Sequence, residues 1–365
     1  MHRRPLGRLV LGAAATAPVA LATPALAQSS PEVRWRCASA FPRNLDVLYG
    51  TGERITQRVA ALTDNRFQIR FFAAGEIVPG LQVLDAVQAG TIEAGHTPVY
   101  YYTGKDPSFA FFTALPFGLN ARQNLAWLSH GGGNELAAEL FREYSLVGFP
   151  AGDTGAQMGG WFRNEIRGLQ DLNGLKFRVA GLAGEIFRRM GAVPTQIAAS
   201  DIYPALERGT LDAVEFVGPH DDEKLGFVRV ARNYYAPGFW EAGAHLHLLA
   251  NQAEFDKLPA AYKAALEVAC QEANADMLAR YDHLNPQALR RLVAGGAQLR
   301  FWPRDILQAA WREAHGLYDD MSGRNERFRR IWTAYRAYRD EQYQWFRVAE
   351  NSFDNFAFPA AAQRG

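Results

Sequence analysis

Only two cysteines, Cys37 and Cys270, occur in the 365 residues, so no disulfide framework carries this fold. Cys37 lies in the strand-like run Val33 to Ala40 and Cys270 on an apolar helix face, which reads as two separate buried thiols, although spacing alone leaves their pairing open. The run before Cys37 lacks the pattern that precedes a lipid-modified cysteine, so no lipid anchor is expected. Neither sign of charge dominates: 39 basic against 38 acidic side chains leave a net +1. No long-range field therefore draws the chain to nucleic acid or an anionic membrane. Beyond residue 27 no stretch approaches the roughly 20 apolar residues that span a bilayer, so the mature chain is expected to be soluble. Also missing are a G-x-S-x-G elbow, a P-loop, a G-x-G-x-x-G turn and an H-E-x-x-H helix, which removes the usual nucleophile, phosphate and zinc-protease signatures.

What is present begins with a leader. His2, Arg3, Arg4 and Arg8 precede an apolar run from Leu9 to Leu26, and Ala25-Leu26-Ala27 is an A-x-A cleavage signal. Residues 1–27 are read as a signal peptide removed on export, by the general or the twin-arginine route. The remainder exceeds what one hydrophobic core usually serves, so two lobes are expected.

Strand and helix signals then alternate in a parallel α/β pattern: Glu32 to Ala40 and Phe67 to Phe72 as strands, Asp46 to Leu62 as a helix, and Leu81 to Ala89 as a shorter one. Ile92 to His96 is a strand leading into an aromatic loop at Tyr100 to Pro107. Leu146 to Asp153 crosses to a second lobe and His245 to Ala250 returns, which implies a hinge and a cleft. The expected divisions are a first lobe over 28–153, completed by about 243–300, and a second over 154–242. A C-terminal helical region over 301–358 and a frayed tail over 359–365 follow. Pro259 to Leu292 and Ile306 to Asn351 read as helical, the latter with an aromatic stripe that is core in part and in part suited to another subunit.

Several constellations carry little. Ser129-His130-Gly131-Gly132-Gly133 lacks its nucleophile and reads as a glycine turn beside a helix; His245-Leu246-His247 reads as strand, and His220-Asp221-Asp222-Glu223 as a solvated acidic turn. Four other positions make sense together. Gln157 supplies an amide oxygen on the glycine-rich run Gly152 to Trp161, Arg178 a cation at the end of a short strand, and Glu215 and Glu241 carboxylates after further strands. A guanidinium matches a carboxylate in two parallel hydrogen bonds, and hard oxygen donors suit Na⁺ or Ca²⁺. Taken singly, each has a bland reading: an ion pair of Arg178 with Glu215, a turn filler, a solvated rim charge.

The chain resembles the solute-binding subunits of tripartite ATP-independent periplasmic (TRAP) transporters, in the branch that binds 2-oxo acids or lactate with a metal ion. The resemblance spans Glu32 to Phe358 and is carried by Tyr100-Tyr101-Tyr102-Thr103-Gly104-Lys105-Asp106-Pro107, Pro116-Phe117-Gly118-Leu119, Gly159-Gly160-Trp161-Phe162, Gly174-Leu175-Lys176-Phe177-Arg178 and Glu215-Phe216-Val217-Gly218-Pro219. It implies a two-lobed α/β periplasmic-binding-protein fold, type II-like, with long C-terminal helices and a homodimer through them.

It also implies that Arg178 grips a ligand carboxylate and that Gln157, Glu215, the Phe216 carbonyl and Glu241 hold the metal. A hydroxyl comes from one of Tyr100, Tyr101 and Tyr102, with Tyr101 taken as the candidate. Phe216 stands where the branch commonly has Trp, and Glu241 where Gln also occurs. With both glutamates and a bound carboxylate negative and Arg178 positive, Ca²⁺ neutralises the site and Na⁺ does not, which favours Ca²⁺. The expected function is non-catalytic capture of a small 2-oxo or 2-hydroxy monocarboxylate, of pyruvate, 2-oxobutyrate or lactate type, in the periplasm for delivery to a membrane permease. The alternatives are a metal-free binder of a sugar acid or dicarboxylate, using Arg163 or Lys176 as a second cation, and a hydrolase.

Overall fold

A computed structural model describes residues 31–363; the leader read into residues 1–27 lies outside them. The chain opens with strand β1 (Val33–Ser39), where exposed Arg34 and Arg36 alternate with buried Trp35 and Cys37. The alternation places the apolar face against two helices. There follow α1 (Leu48–Leu62), β2 (Phe67–Phe72), α2 (Val83–Gln88), β3 (Ala94–Thr97), α3 (Ala121–His130), α4 (Gly133–Glu143) and β4 (Leu146–Asp153). The middle of the chain holds β5 (Gly160–Phe162), β6 (Lys176–Arg178), α5 (Ala183–Arg189), β7 (Val193–Thr195), α6 (Ala199–Glu207), β8 (Ala213–Val214), α7 (Pro219–Leu225) and β9 (Asn233–Ala236). Last come β10 (His245–Asn251), α8 (Gln252–Asp256), α9 (Ala260–Ala294), β11 (Gln298–Phe301), α10 (Arg304–Arg324), α11 (Glu326–Val348) and α12 (Glu350–Ala362).

Two sheets result, in the orders β2-β1-β3-β10-β4 and β11-β9-β5-β8-β6-β7. The expected parallel pattern holds for β1 with β2 and β3, for β6 with β7 and β8, and for β9 with β11. Elsewhere it fails: β10 runs antiparallel to β3 and β4, and β5 antiparallel to β8 and β9. The return strand enters the first sheet from the far end, so it cannot share the direction of the strand by which the chain left. Within 243–300, expected to complete the first lobe, β10 joins the first sheet, while the chain at the end of that range passes to the second. The strand β11 pairs with β9 of the second sheet, from Gln298↔Asn233 to Phe301↔Ala236. The 35 residues of α9, about 52 Å at 1.5 Å per residue, carry the chain from one sheet to the other.

Cys37 and Cys270 are both free and buried, in a cluster where Trp35, Ile55, Val59, Phe67, Leu266 and Ala273 join the first sheet to α1 and α9. The C-terminal aromatic stripe is core in its first half, and aromatics further along the terminal helices stay exposed. Phe328, Trp332 and Tyr335 are buried, with Phe328 and Tyr335 packed on Phe111, whereas Trp345, Phe353, Phe356 and Phe358 stay exposed. The tail expected to fray from residue 359 is helical through Ala362, with Pro359 inside α12. Among the described residues no helix is long and apolar enough to cross a membrane.

Candidate functional site

Strand register brings Arg178 and Glu215 together. The strands β6 and β8 are parallel, Arg178 pairs with Val214, and the Glu215 amide donates to the Arg178 carbonyl at 3.0 Å, so both side chains leave the carboxyl ends of neighbouring strands. That edge is where open α/β sheets receive ligands. Arg178 Nη1 donates to Glu215 Oε1 at 2.6 Å and to the Glu215 carbonyl at 2.7 Å, and the Ala180 amide donates to the same Oε1 at 3.0 Å. The remaining face of the guanidinium, Nε and Nη2, makes long contacts of 3.4 Å with the Ile197 carbonyl, and the Tyr101 hydroxyl approaches the same guanidinium. The bland reading of this pair, a structural ion pair, is therefore part of the geometry, and it uses one side of the fork. Phe216 lies below, its ring centroid 5.6 Å from the guanidinium carbon.

The run after β4 is stitched into both neighbouring segments. The Gln157 amide donates to the Glu241 carbonyl at 3.0 Å, the Met158 amide to Val217 at 3.0 Å, and the Gly159 amide to Tyr235 at 2.7 Å. Gly160 is required here: at φ +94° a Cβ would sit 2.5 Å from the Val214 carbonyl oxygen. These bonds set the side-chain amide of Gln157 against Glu241 Oε2 at 2.5 Å and the Phe216 carbonyl at 2.7 Å, with the Thr154 hydroxyl 3.0 Å away on its other end.

Turned one way, the amide nitrogen donates to Glu241 and Phe216. Turned the other way, it donates to Thr154 Oγ1 at 3.0 Å, and three oxygens converge. Such a trio is tolerable only around a proton or a cation.

Charge is short of compensation. Glu215 and Glu241 are 0% and 1% exposed, and Arg178 is the one cation beside them among the described residues. Tyr100 and Trp240 approach these carboxylates only loosely, and neither Glu215 Oε2 nor Glu241 Oε1 receives a well-formed hydrogen bond. Burial, then the neighbouring Glu215, pushes the Glu241 carboxyl well above the usual range; burial also raises Glu215, against the pull of Arg178. With the Gln157 amide turned to present its oxygen, the donor set is oxygen throughout, with two orphaned buried carboxylate oxygens, and it fits a hard cation.

The first lobe supplies the opposite wall. In the 3₁₀ turn Val99–Tyr102 the three tyrosines part. Tyr102 hydroxyl accepts from the Leu84 amide at 3.1 Å and meets Thr97, a packing role. Tyr101 turns to Arg178, its hydroxyl raised to about 12 by burial, and Tyr100 turns to Glu241. Their rings stack, 5.2 Å apart. Gly181, at φ +63°, admits them, since a Cβ there would meet the Tyr100 ring at 2.7 Å. Between Tyr100, Tyr101, Phe41, Leu48, Gln157 and Phe216 lies a cavity of about 10 Å³, room for roughly one water. A ligand enters only if the walls part.

Sequence reasoning missed residues that act at a distance in the chain. Gln196 bridges the cleft, donating to the Tyr101 carbonyl and accepting from the Gly181 amide, both at 3.2 Å. Asp46, before α1, takes His220 at 2.9 Å and Lys224 from α7. Neither has a local motif. The acidic run 220–223, read as a solvated turn, is instead the start of α7. There Asp221 accepts from Tyr281 at 2.5 Å, and Asp222 from Trp161 and Tyr234 at 3.0 and 2.6 Å. The glycines 131–133 do turn between α3 and α4, as expected. Arg163 is spent on the carbonyls of Leu206 and Leu211, and Lys176 is exposed, so neither lines the cavity.

This arrangement belongs to a known class. Residues 39–324 match the model of the bacterial extracellular solute-binding protein family 7, the DctP family, and the chain belongs to that family. It is 45% identical, over 94% of its length and 97% of the relative's, to a monocarboxylate 2-oxoacid-binding periplasmic protein of Nostoc sp. strain PCC 7120. A solute-binding protein of a TRAP transporter from Bordetella bronchiseptica is also 45% identical, with a TM-score of 0.91 over 92% of this chain and 100% of its own. It was crystallised as a mixed-occupancy dimer with copurified calcium and picolinate at one site. A TRAP periplasmic solute-binding protein from Pseudoalteromonas atlantica, solved with sodium and pyruvate, is 34% identical, with a TM-score of 0.87 over 89% of this chain and 99% of its own. The chain is thus a solute-binding component of a transport system, with the mixed two-sheet fold of TRAP binding proteins and long C-terminal helices.

Proposed function

We propose that this protein is exported by its leader to the periplasm, captures a small 2-oxo or 2-hydroxy monocarboxylate without transforming it, and presents it to a TRAP permease. The observation that carries the reading is the convergence of the Gln157 side-chain amide, which offers an oxygen in one of its two orientations, with Glu215, Glu241 and the Phe216 carbonyl, beside one arginine with part of its fork unspent. Those four hold the cation, which when bound supplies positive charge to the ligand's carboxylate and its adjacent oxygen. Arg178 donates to the carboxylate from Nη2, Tyr101 orients the guanidinium, and Phe216 closes one side. The apolar walls Phe41, Leu48 and Leu246 receive the alkyl end. Closure of the two lobes then excludes water and strengthens each contact.

Calcium neutralises the closed site and sodium leaves it negative, so calcium is the expected ion. No second cation stands beside Glu215 and Glu241 among the described residues, which disfavours a dicarboxylate. The exposed Phe353, Phe356 and Phe358 of α12 suit a second copy of the chain, as expected for a homodimer. Calorimetry with pyruvate, 2-oxobutyrate and lactate, before and after chelation and in sodium-free buffer, tests the whole. Saturable binding of a monocarboxylate that needs a cation supports it; binding indifferent to both ions removes the metal, and no binding removes the ligand class.

A further inference from the structure

Thr154 is 2% exposed and lines the small cavity, so in the closed pocket its hydroxyl relies on protein partners rather than bulk water. Three groups meet it: the Ala244 amide donates to Oγ1 at 3.3 Å, the Gln157 amide group lies at 3.0 Å, and the Gly155 carbonyl stands 2.9 Å away as an acceptor. A hydroxyl has one proton and two lone pairs. If that proton goes to Gly155, Oγ1 takes the Gln157 NH₂, and the amide oxygen faces Glu241 and Phe216. If the proton goes to Gln157, the amide is reversed and its nitrogen faces them.

We propose that Thr154 is a positioning residue for the cation site: rotation of its hydroxyl and reversal of the Gln157 amide are one coupled motion. It lets the same pocket offer three oxygens to an ion, or a donor to two oxygens when the ion has left. This deepens the proposed function and rests on it. In both states Gln157 keeps a partner at each end, which spares its buried amide the cost of about 1–3 kcal/mol that an unmet polar group carries; the Gly155 carbonyl keeps the hydroxyl proton in one state and yields it in the other. The backbone holds the hydroxyl in place for this: the Thr154 amide donates to Ala244 at 3.1 Å, so Thr154 and Ala244 exchange bonds across the two crossing segments. Asp153 and His245 pair at 2.9 Å immediately beside them. Valine has the shape of threonine and can serve neither state; serine can serve both.

The test titrates terbium, as a luminescent stand-in for calcium, into the full chain after chelation, alone and with pyruvate, and repeats the titration with calcium by calorimetry. T154V weakens cation binding by about 10- to 100-fold, the range found when a group orienting a metal ligand is removed, and T154S retains it. In a Q157A background the further effect of T154V is small, because the amide it orients is gone. Equal affinity in T154V and the wild type overturns the proposal, as does a T154V loss that persists undiminished in Q157A, which marks a merely structural role. Should T154V not fold, T154A against T154S makes the same comparison. A wild type that takes up neither ion overturns the cation reading of the pocket and this inference together, whereas a wild type that binds both while T154V matches it overturns this inference alone.

Discussion

Glu241→Gln separates the two ions. With both glutamates ionised, Arg178 protonated and one ligand carboxylate bound, the closed site carries two uncompensated negative charges, which calcium cancels. In E241Q it carries one, which sodium cancels. Unit charges 4 Å apart interact by about 4 kcal/mol at an effective dielectric of 20. The substitution removes that attraction once for sodium and twice for calcium. The difference between the ions is therefore about 4 kcal/mol in favour of sodium, a factor of about a thousand before relaxation reduces it. The amide keeps the side chain's shape and can still turn an oxygen toward Gln157 and Phe216, so the change is in charge rather than in packing. The assay is calorimetric titration of pyruvate into wild type and E241Q, each chelated and then resupplied with calcium or sodium alone. A preference for calcium in the wild type that falls by tenfold or more in E241Q is expected. An unchanged ratio refutes the charge argument and places Glu241 outside the ion's reach.

Arg178→Ala removes both the clamp and the partner of a fully buried carboxylate. Binding of the acid disappears, and stability falls by about 3–5 kcal/mol in chemical denaturation, the usual cost of stranding a buried charge. Asp222 is raised to about 7 by burial, with Tyr234 and Trp161 opposing, so the unfolded chain ionises near pH 4 while the folded one does not. Wild-type stability is then lost as pH rises from about 4 to about 7, by an amount on the order of 4 kcal/mol from this group. His96 and His247, lowered by burial to about 4 and about 3, oppose it, losing stability as pH falls below their ordinary value. The difference between D222N and wild type isolates Asp222 and moves in the variant's favour from pH 4 to 7 in urea melts. Gly181→Ala puts a Cβ 2.7 Å from Tyr100 at a φ of +63°. It weakens acid binding several-fold in calorimetry, and the melting temperature of the ligand-free protein falls as well, because the left-handed φ strains an alanine whether or not the tyrosines approach.

The positions of Gln157, Arg178, Glu215 and Glu241 were legible because each ends a strand or follows a glycine-rich turn, and strand ends converge whatever the loops do. How Arg178 uses its fork was not, since a guanidinium beside a carboxylate reads equally as clamp and as ion pair until the third dimension shows Nη1 spent and Nη2 nearly free. The burial of Asp221 and Asp222 was hidden for a similar reason: four consecutive polar residues look solvated until Tyr281, Trp161 and Tyr234, from distant elements, cover them. The strand β11 carries no sign of its sheet, because Gln298 to Phe301 alternates equally well beside either edge. Thr154 sat in a run read for its amide, and a hydroxyl orienting a neighbour three residues on has no signature at all.

On the proposed function, a cavity with room for about one water and a deficit of positive charge would tie ion, acid and closure into a single equilibrium. With the lobes parted, water solvates Glu215 and Glu241 and nothing compels an ion to stay. With the lobes shut, that water is gone, and the orphaned oxygens raise the cost of an empty pocket by several kcal/mol. The cation therefore favours closure by as much as closure favours the cation, and the acid, which brings one more negative charge, tightens the demand for the ion that meets it. Arg178 alone cannot replace this arrangement, since its charge is already answered by Glu215. On the proposed function, the second glutamate, at first sight a liability in a pocket for anions, is what makes capture conditional on a cation.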